Sequence, residues 1–411
     1  MDSKVKALAV LAALSVTTLA LLLVWYTNGS GKIGGGSGVA ATESVPAQPE
    51  ANGYRDFLKD DTFFDPETKS SVLMETKEIT PRLYMQADSV MKDIRVCITG
   101  EDGTPVKGYS FYINIDGLGE FKDLDKDGMI YVPDLKAGDY FVQLENEPGF
   151  VVPDEPMRVA VRDQLEYEVI GDISLYIHSE DEIDEAAEDT EIPGASDDTD
   201  ETEVKTKWEG TDAAFGIDVS KWQKEIDWQK VADSGVDFAI IRCGYRGSSS
   251  GYLIEDKCFK KNLEGAKAAG IKVGVYFFSQ AVSEVEAVEE ASMVVTLLDG
   301  AKLDYPIFID TESAGGNGRA DGLNAADRTA VLKAFCETID NSGYHSGIYA
   351  SRCWYYERLN DGELTDITHW VAEYRKNPLY KGEFALWQYT SSGVIDGINT
   401  RVDLDLVWNG N

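Results

Sequence analysis

Histidine is nearly missing from this chain: His178, His345 and His369 are the only three among 411 residues, and no two are close in sequence. Cysteine is sparse as well, and Cys97, Cys243, Cys258, Cys336 and Cys353 show no C-x-x-C spacing. That scarcity argues against a zinc site built from paired Cys and His ligands. An odd set of five reads as small buried thiols rather than a disulfide framework, with one bridge in the C-terminal part left open. Basic residues are also few: 38 Lys and Arg stand against 73 Asp and Glu, a formal net charge of −35. This balance argues against a nucleic-acid partner, because phosphate backbones are bound by Lys and Arg. No G-x-G-x-x-G or P-loop fingerprint follows any strand-like run, so the nucleotide signatures of open α/β sheets are missing too.

What is present is unevenly distributed. The uncharged run "ALAVLAALSVTTLALLLVWY" at 7–26 has the ~20 residues needed to cross a bilayer. Lys4 and Lys6 precede it and Trp25 and Tyr26 close it, which predicts an anchor over 1–26 with a cytoplasmic N-terminus. The expected location is the cell membrane, with everything after residue 26 outside the cell. A cleaved signal peptide is the competing reading, disfavoured because the small-residue "VAA" comes late, at 39–41. Residues 27–54 read as a Gly/Ser-rich linker, and 55–92 as a connecting segment without firm period.

From 93 to 177, runs such as "DIRVCITG", "YSFYINI" and "AGDYFVQLE" recur between Gly, Pro and Asp turns, the pattern of a small all-β sandwich. In its "DKDG" and "AGDYFV" segments the module resembles the Cna-B/SpaA-like surface modules of Gram-positive bacteria. Asp123, Asp125, Asp127 and Gly128 match the opening of a calcium loop, with Asp134 at the place of its last ligand. Strand-like flanks favour an ordinary Asp-Gly turn there instead. Residues 178–207 read as an acidic linker, since thirteen acids and no base fall between 179 and 203. Such a block repels itself and buries no apolar surface.

After Trp208 the rhythm changes. "AFGIDVS", "VDFAIIRCGYR", "KVGVYFFS", "YPIFIDTE" and "HSGIYAS" read as strands, each followed by a helical stretch, as in parallel βαβ units. The first helix is predicted over "WQKEIDWQKVADSG", ending at Gly235, and Asn324 is predicted to cap the fourth. Three more strands, "HWVAEY", "FALWQYT" and "VDLDLVW", are separated by gaps too short for a crossover helix. The expected fold class is α/β: an irregular (β/α)5β3 TIM-like barrel over 208–411, preceded by the β-sandwich and the N-terminal transmembrane helix. An open doubly wound sheet is the alternative.

Chemistry in such barrels gathers at the C-terminal ends of the strands. Acids stand there: Asp218 in the first strand, Asp310 and Glu312 closing the fourth, Glu373 closing the sixth and Asp403 in the eighth. Side chains two apart share a face, so Phe308, Asp310 and Glu312 are predicted on one side and Ile307, Ile309 and Thr311 on the other. Tyr276, Tyr349, Trp387 and Tyr389 are candidate substrate contacts, because sugar rings stack on large rigid aromatic faces. Glycoside hydrolysis needs such a set: one acid holding a proton for the leaving oxygen and a neighbouring carboxylate against the developing positive charge.

In "GIDVSKWQKEIDW", "FAIIRCGYR", "AAGIKVGVYFFS", "FIDTES", "GIYAS", "WVAEY", "LWQYTSSGVIDGI" and "VDLD" the C-terminal half resembles the glycoside hydrolase family 25 muramidases, the Chalaropsis-type lysozymes. The resemblance implies an irregular barrel of five β/α units and three further strands. It also implies a retaining N-acetylmuramidase that cleaves the β-1,4 bond between N-acetylmuramic acid and N-acetylglucosamine in peptidoglycan. It assigns Glu312 as general acid and Asp310 as second acid, either the nucleophile or a support for the substrate's acetamido group. Asp218 and Asp403 would orient the substrate or tune their neighbours, and Glu373 would be a substrate contact or a rim charge. No metal or organic cofactor is implied. Asp405 departs from the pattern, which shows Asn there. The function expected is a membrane-anchored extracellular peptidoglycan hydrolase for wall remodelling or local wall opening, with peptidoglycan and the membrane as partners. A non-catalytic surface peptidoglycan-binding protein is the alternative.

Overall fold

The computed structural model describes residues 80–171, 173–180 and 213–408. The run at 7–26, the linker at 27–54 and most of the acidic linker lie outside the described residues. Among the described residues no helix is long and apolar enough to cross a membrane. That finding corrects the expected cell-membrane location, since the one segment that suggested it is not among those described.

The upstream module consists of seven short strands: β1 (Tyr84–Asp88), β2 (Ile94–Thr99), β3 (Tyr112–Ile115), β4 (Gly119–Lys122), β5 (Met129–Val132), β6 (Gly138–Leu144) and β7 (Met157–Val161). They form a three-stranded sheet, β1-β2-β5, and a four-stranded sheet, β4-β3-β6-β7, antiparallel throughout. Alternating residues of both sheets, among them Ile94, Val96, Ile113, Val142 and Val159, meet in one core. Leu83 and Met85 join that core, so the module starts upstream of the expected boundary at 93. The Asp123–Asp127 segment is a turn between β4 and β5. Asp123 accepts from Lys126 N and Gly128 N at 2.7 and 3.0 Å, and Asp127 accepts from Met129 N at 2.8 Å. Oxygens of Asp123, Asp125 and Asp127 gather within 4.8 Å, a group that does not include Asp134.

A short turn at Ile173–Tyr176 leads into β8 (Ile177–Ser179), which leaves the module and joins the barrel sheet. The module therefore ends before 177, and the start of the segment expected to be a solvated linker is docked. Apolar burial accounts for this: Ile170 and Ile173 pack in the barrel's outer core.

The barrel strands are β9 (Ala213–Val219), β10 (Phe238–Arg246), β12 (Lys272–Phe278), β13 (Ile307–Asp310), β14 (Ser346–Ser351), β15 (Thr368–Ala372), β16 (Leu386–Gly393) and β17 (Val402–Trp408). They pair in chain order, and β17 pairs with β9 to close the ring. β11 (Leu253–Glu255) is a hairpin partner outside the ring, formed after the "GSSSG" segment that reads in sequence as an ordinary loop. Helices α1 (Trp228–Asp233), α2 (Phe259–Ala268), α3 (Glu284–Leu298), α4 (Ala325–Asn341) and α5 (Arg352–Glu357) follow the first five ring strands, and none separates the last three. The result is a closed eight-stranded barrel with few helices rather than a helix-dominated TIM barrel. β17 runs antiparallel to both neighbours, and α1 and α5 have only six residues each.

The predicted first helix is broken. Ser220 and Gln223 form a capping box on a 3-10 turn at Lys221–Gln223, and Lys224 adopts φ 59°. Asp227 then caps α1 separately. Asn324 caps α4, accepting from Asp327 N at 3.0 Å.

Both faces of the ring strands are covered, which is why β10 is buried along its whole length. Glycine leaves room for the inner packing at two places. A Cβ at Gly216 would lie 2.2–2.4 Å from the Phe238 ring, and one at Gly347 would lie 2.4 Å from the Phe308 ring. These phenyl rings fill the barrel interior below the acids described next.

Candidate active site

Alternation of side chains along each strand decides what faces the barrel interior. On β13, Phe308 lies in the inner cluster and Ile307 and Ile309 in the outer core. Asp310 therefore points inward, and Glu312, two residues on and beyond the strand's end, keeps the same side. Register places the other acids around them. Asp403 of β17 stands opposite Asp218 of β9, and Asp310 stands beside Tyr349 of β14. Asp218, Asp310, Glu312 and Asp403 line a single cavity, with Tyr276, Tyr349 and Trp370 as aromatic walls and Gln388 between. Ser220, Trp222 and Gln223, from the turn after β9, complete the rim. No Lys or Arg is among these lining residues.

The hydrogen bonds are directional. Tyr349 and Tyr374 both donate to Gln388 Oε1 at 2.9 Å. That fixes the amide, whose Nε2 donates to Asp218 Oδ2 at 2.8 Å. Burial holds both phenols well above their ordinary range, and surrounding groups add to it: Tyr374, Glu312, Asp310 and Asp218 beside Tyr349, and Asp403, Glu312 and Asp218 beside Tyr374. Both therefore remain donors.

Below this layer lies Asp405, fully buried and paired in register with Gly216. Trp370 Nε1 donates to its Oδ1 at 2.8 Å, while among the described residues no donor reaches Oδ2. Burial first, then the nearby Asp218 and Asp403 carboxylates, raise its pKa well above the ordinary carboxylate range. The raised pKa favours the protonated form of Asp405, with Asp218 as the neighbour its proton would face. The acid at the position where the resemblance shows Asn presents the same pair of groups, one acceptor and one donor.

Three expected contacts lie elsewhere. Trp387 and Tyr389 face the outer core, because Leu386 takes the inward side of β16 and Gln388, two residues on, lines the cavity. Trp387 donates to the Glu373 carbonyl at 2.8 Å. Glu373 is buried and binds Arg352 at 2.9 Å and the backbone N–H groups of Leu379 and Tyr380 at 2.8 and 3.1 Å. It anchors a loop rather than the cavity. Sequence reading missed Gln388, Trp370, Tyr374 and Trp222. The available signal was parity: Trp370 and Tyr374 share a face with Ala372, and Gln388 lies between the two aromatics chosen.

A closed barrel with clustered carboxylates and aromatic walls where its strands end is an arrangement suited to the glycoside hydrolases as a class. Residues 217–398 match the family model described as Glycosyl hydrolases family 25. The chain is 31% identical over 204 residues to YegX of Escherichia coli K12, an uncharacterized protein, covering 47% of this chain and 69% of that one. The chain belongs to glycosyl hydrolase family 25. It is also 28% identical over 191 residues to the autolytic lysozyme of Clostridium acetobutylicum, covering 46% of this chain and 54% of that protein. Among solved structures, the autolysin LytC of Streptococcus pneumoniae in complex with a synthetic peptidoglycan ligand is similar, with TM-score 0.42 and 30% identity across 47% of this chain and 46% of that one. The chain thus spans about half the length of these last two proteins. The upstream β module lies outside the family match.

Proposed function

We propose that the barrel is a retaining N-acetylmuramidase, cleaving the β-1,4 bond between N-acetylmuramic acid and N-acetylglucosamine in peptidoglycan. The observation that carries this reading is the single cavity lined by Asp218, Asp310, Glu312 and Asp403 with aromatic walls and no cationic side chain. Like charges this crowded disfavour complete ionisation, so one carboxyl keeps a proton. The resemblance assigns the donor role to Glu312, which stands half-buried at the cavity edge where a leaving oxygen can reach it, while Asp310 is buried beneath. In the reaction the Glu312 proton passes to the glycosidic oxygen as the C1–O bond breaks. Positive charge at C1 is met by an electron pair from Asp310 or from the substrate's acetamido oxygen. Water then attacks C1, the bond from C1 to the Asp310 or acetamido oxygen breaks, and the water's proton passes to Glu312. Asp218, held in place by Gln388, and Asp403 orient the sugar, with Tyr276 and Tyr349 beside it. The family membership and the autolytic-lysozyme relative support a cell-wall substrate.

The test is incubation of the full chain with peptidoglycan and identification of new reducing ends. Muramic-acid ends are expected from the wild type, and Glu312→Gln is expected to lower turnover by ~100-fold or more, the scale of lost general-acid catalysis. New N-acetylglucosamine ends would overturn the bond assignment. Equal inactivity of both proteins, with retained binding, would make the barrel a wall-binding protein.

A further inference from the structure

Upstream of the family match, a short piece of chain docks on the barrel beside the cavity. Ile177, His178 and Ser179 of β8 run parallel to Leu253, Ile254 and Glu255 of β11. The next residue, Glu180, is buried, and its Oε1 lies 2.9 Å from Lys221 Nζ, with both side chains at most 2% exposed. Lys257 reaches the other oxygen at 3.3 Å from a half-exposed position. Lys221 opens the turn that forms the cavity rim. The main chain of that turn is pinned on other partners. Lys221 N donates to Asp256 Oδ2 at 3.0 Å, Trp222 N to Ser220 Oγ at 3.3 Å, and the Gln223 side chain to the Arg401 carbonyl at 3.2 Å. Only the Lys221 side chain extends toward Glu180, and its ammonium sits 5.2 Å from the ring centres of both Trp222 and Tyr245. Trp222 itself is 41% exposed on the rim.

A buried ammonium without its carboxylate is strongly disfavoured, so it moves to water or loses its proton. Either change removes the cation from beside the Trp222 ring. We propose that Glu180 is a positioning residue for substrate binding, holding Trp222, through Lys221, as a fixed stacking platform for a sugar ring at the cavity rim. This rests on the muramidase reading above. It also means that the binding site of this chain is completed by a residue outside the family match.

The test is steady-state kinetics of reducing-end release from soluble peptidoglycan chains, using the full chain and its variants. Glu180→Gln and Lys221→Met are each expected to raise KM about five- to tenfold with kcat within about twofold, the scale of one lost aromatic contact. The double variant is expected to be no worse than either single one, because the two residues act as a unit. Trp222→Ala should raise KM to the same extent. If Glu180→Gln fails to fold, the pair Glu180→Leu with Lys221→Met fills the same space with apolar atoms and carries the same expectation. A wild-type KM in any folded Glu180 variant overturns the proposal, whatever its melting temperature. A fall in kcat at unchanged KM overturns it too. A wild-type chain that releases no reducing ends would instead overturn the activity on which the proposal rests.

Discussion

Asp405 is a buried acid at a position where the resemblance shows Asn, and burial favours its neutral form. The folded state keeps a proton that the unfolded chain releases around pH ~3.9. With the folded pKa raised, this contribution to stability is complete below the unfolded value and is lost progressively as pH rises above it. Asp405→Asn keeps the acceptor for Trp370 and a donor for Asp218 without the proton. The variant should therefore gain on the wild type as pH rises, by at most ~1.4 kcal/mol per pH unit until the wild-type acid ionises. Urea unfolding of both proteins at pH 5 and pH 8 checks this. A stability difference that stays constant between those pH values contradicts the assignment of Asp405 as neutral.

At the scale of single elements, the barrel depends on small residues opposite large ones. β9 offers Gly216 where β10 presents Phe238, and β14 offers Gly347 where β13 presents Phe308. Gly216→Ala forces a methyl group to within 2.2–2.4 Å of the Phe238 ring. Overpacking of this kind costs ~1–3 kcal/mol. Thermal unfolding should show that loss, and Phe238→Leu in the same chain should recover part of it. An unchanged midpoint would mean that the ring has somewhere else to go.

Across the whole molecule, a chain of charges joins the module to the barrel within one compact unit, Glu78–Asn411. Arg95 of β2 binds Asp93 at 2.8 Å and Glu289 of α3 at 2.6 Å. Glu289 also binds Arg246 of β10 at 2.8 Å, and Arg246 binds Glu290 at 2.9 Å. The Arg95 and Glu289 side chains are only 10% and 12% exposed, so solvent screens the pair weakly. Arg95→Ala strips both Asp93 and Glu289 of one partner and should cost about 3 kcal/mol. Limited proteolysis is expected to cut the module before the barrel in that variant. Identical protease resistance would show that apolar contacts alone hold the two together. A barrel cut at 208 loses Arg95 and Asp93 from this network, and Glu180 with them.

The number and order of strands, the helices after the first five and the inward pairing of Asp310 with Glu312 were legible from sequence, because period and parity are local properties of the chain. Glu312 follows Phe308 by two steps of two, and nothing distant alters that. Parity alone left β16 ambiguous: Trp387 and Tyr389 occupy one face and Gln388 the other, and only closure of the barrel decides which face is inside. Neither the neutral state of Asp405 nor the link from Glu180 to Lys221 could be read in the chain. The first arises from carboxylates brought together by the β17–β9 pairing, and the second joins residues 41 positions apart across a segment that sequence presents as solvated spacer. Sequence determined which side chains alternate and therefore which acids keep company along a strand. Tertiary structure decided which of them lose water and which distant partners they meet, because desolvation and charge pairing exist only after strands far apart in sequence have closed into a ring.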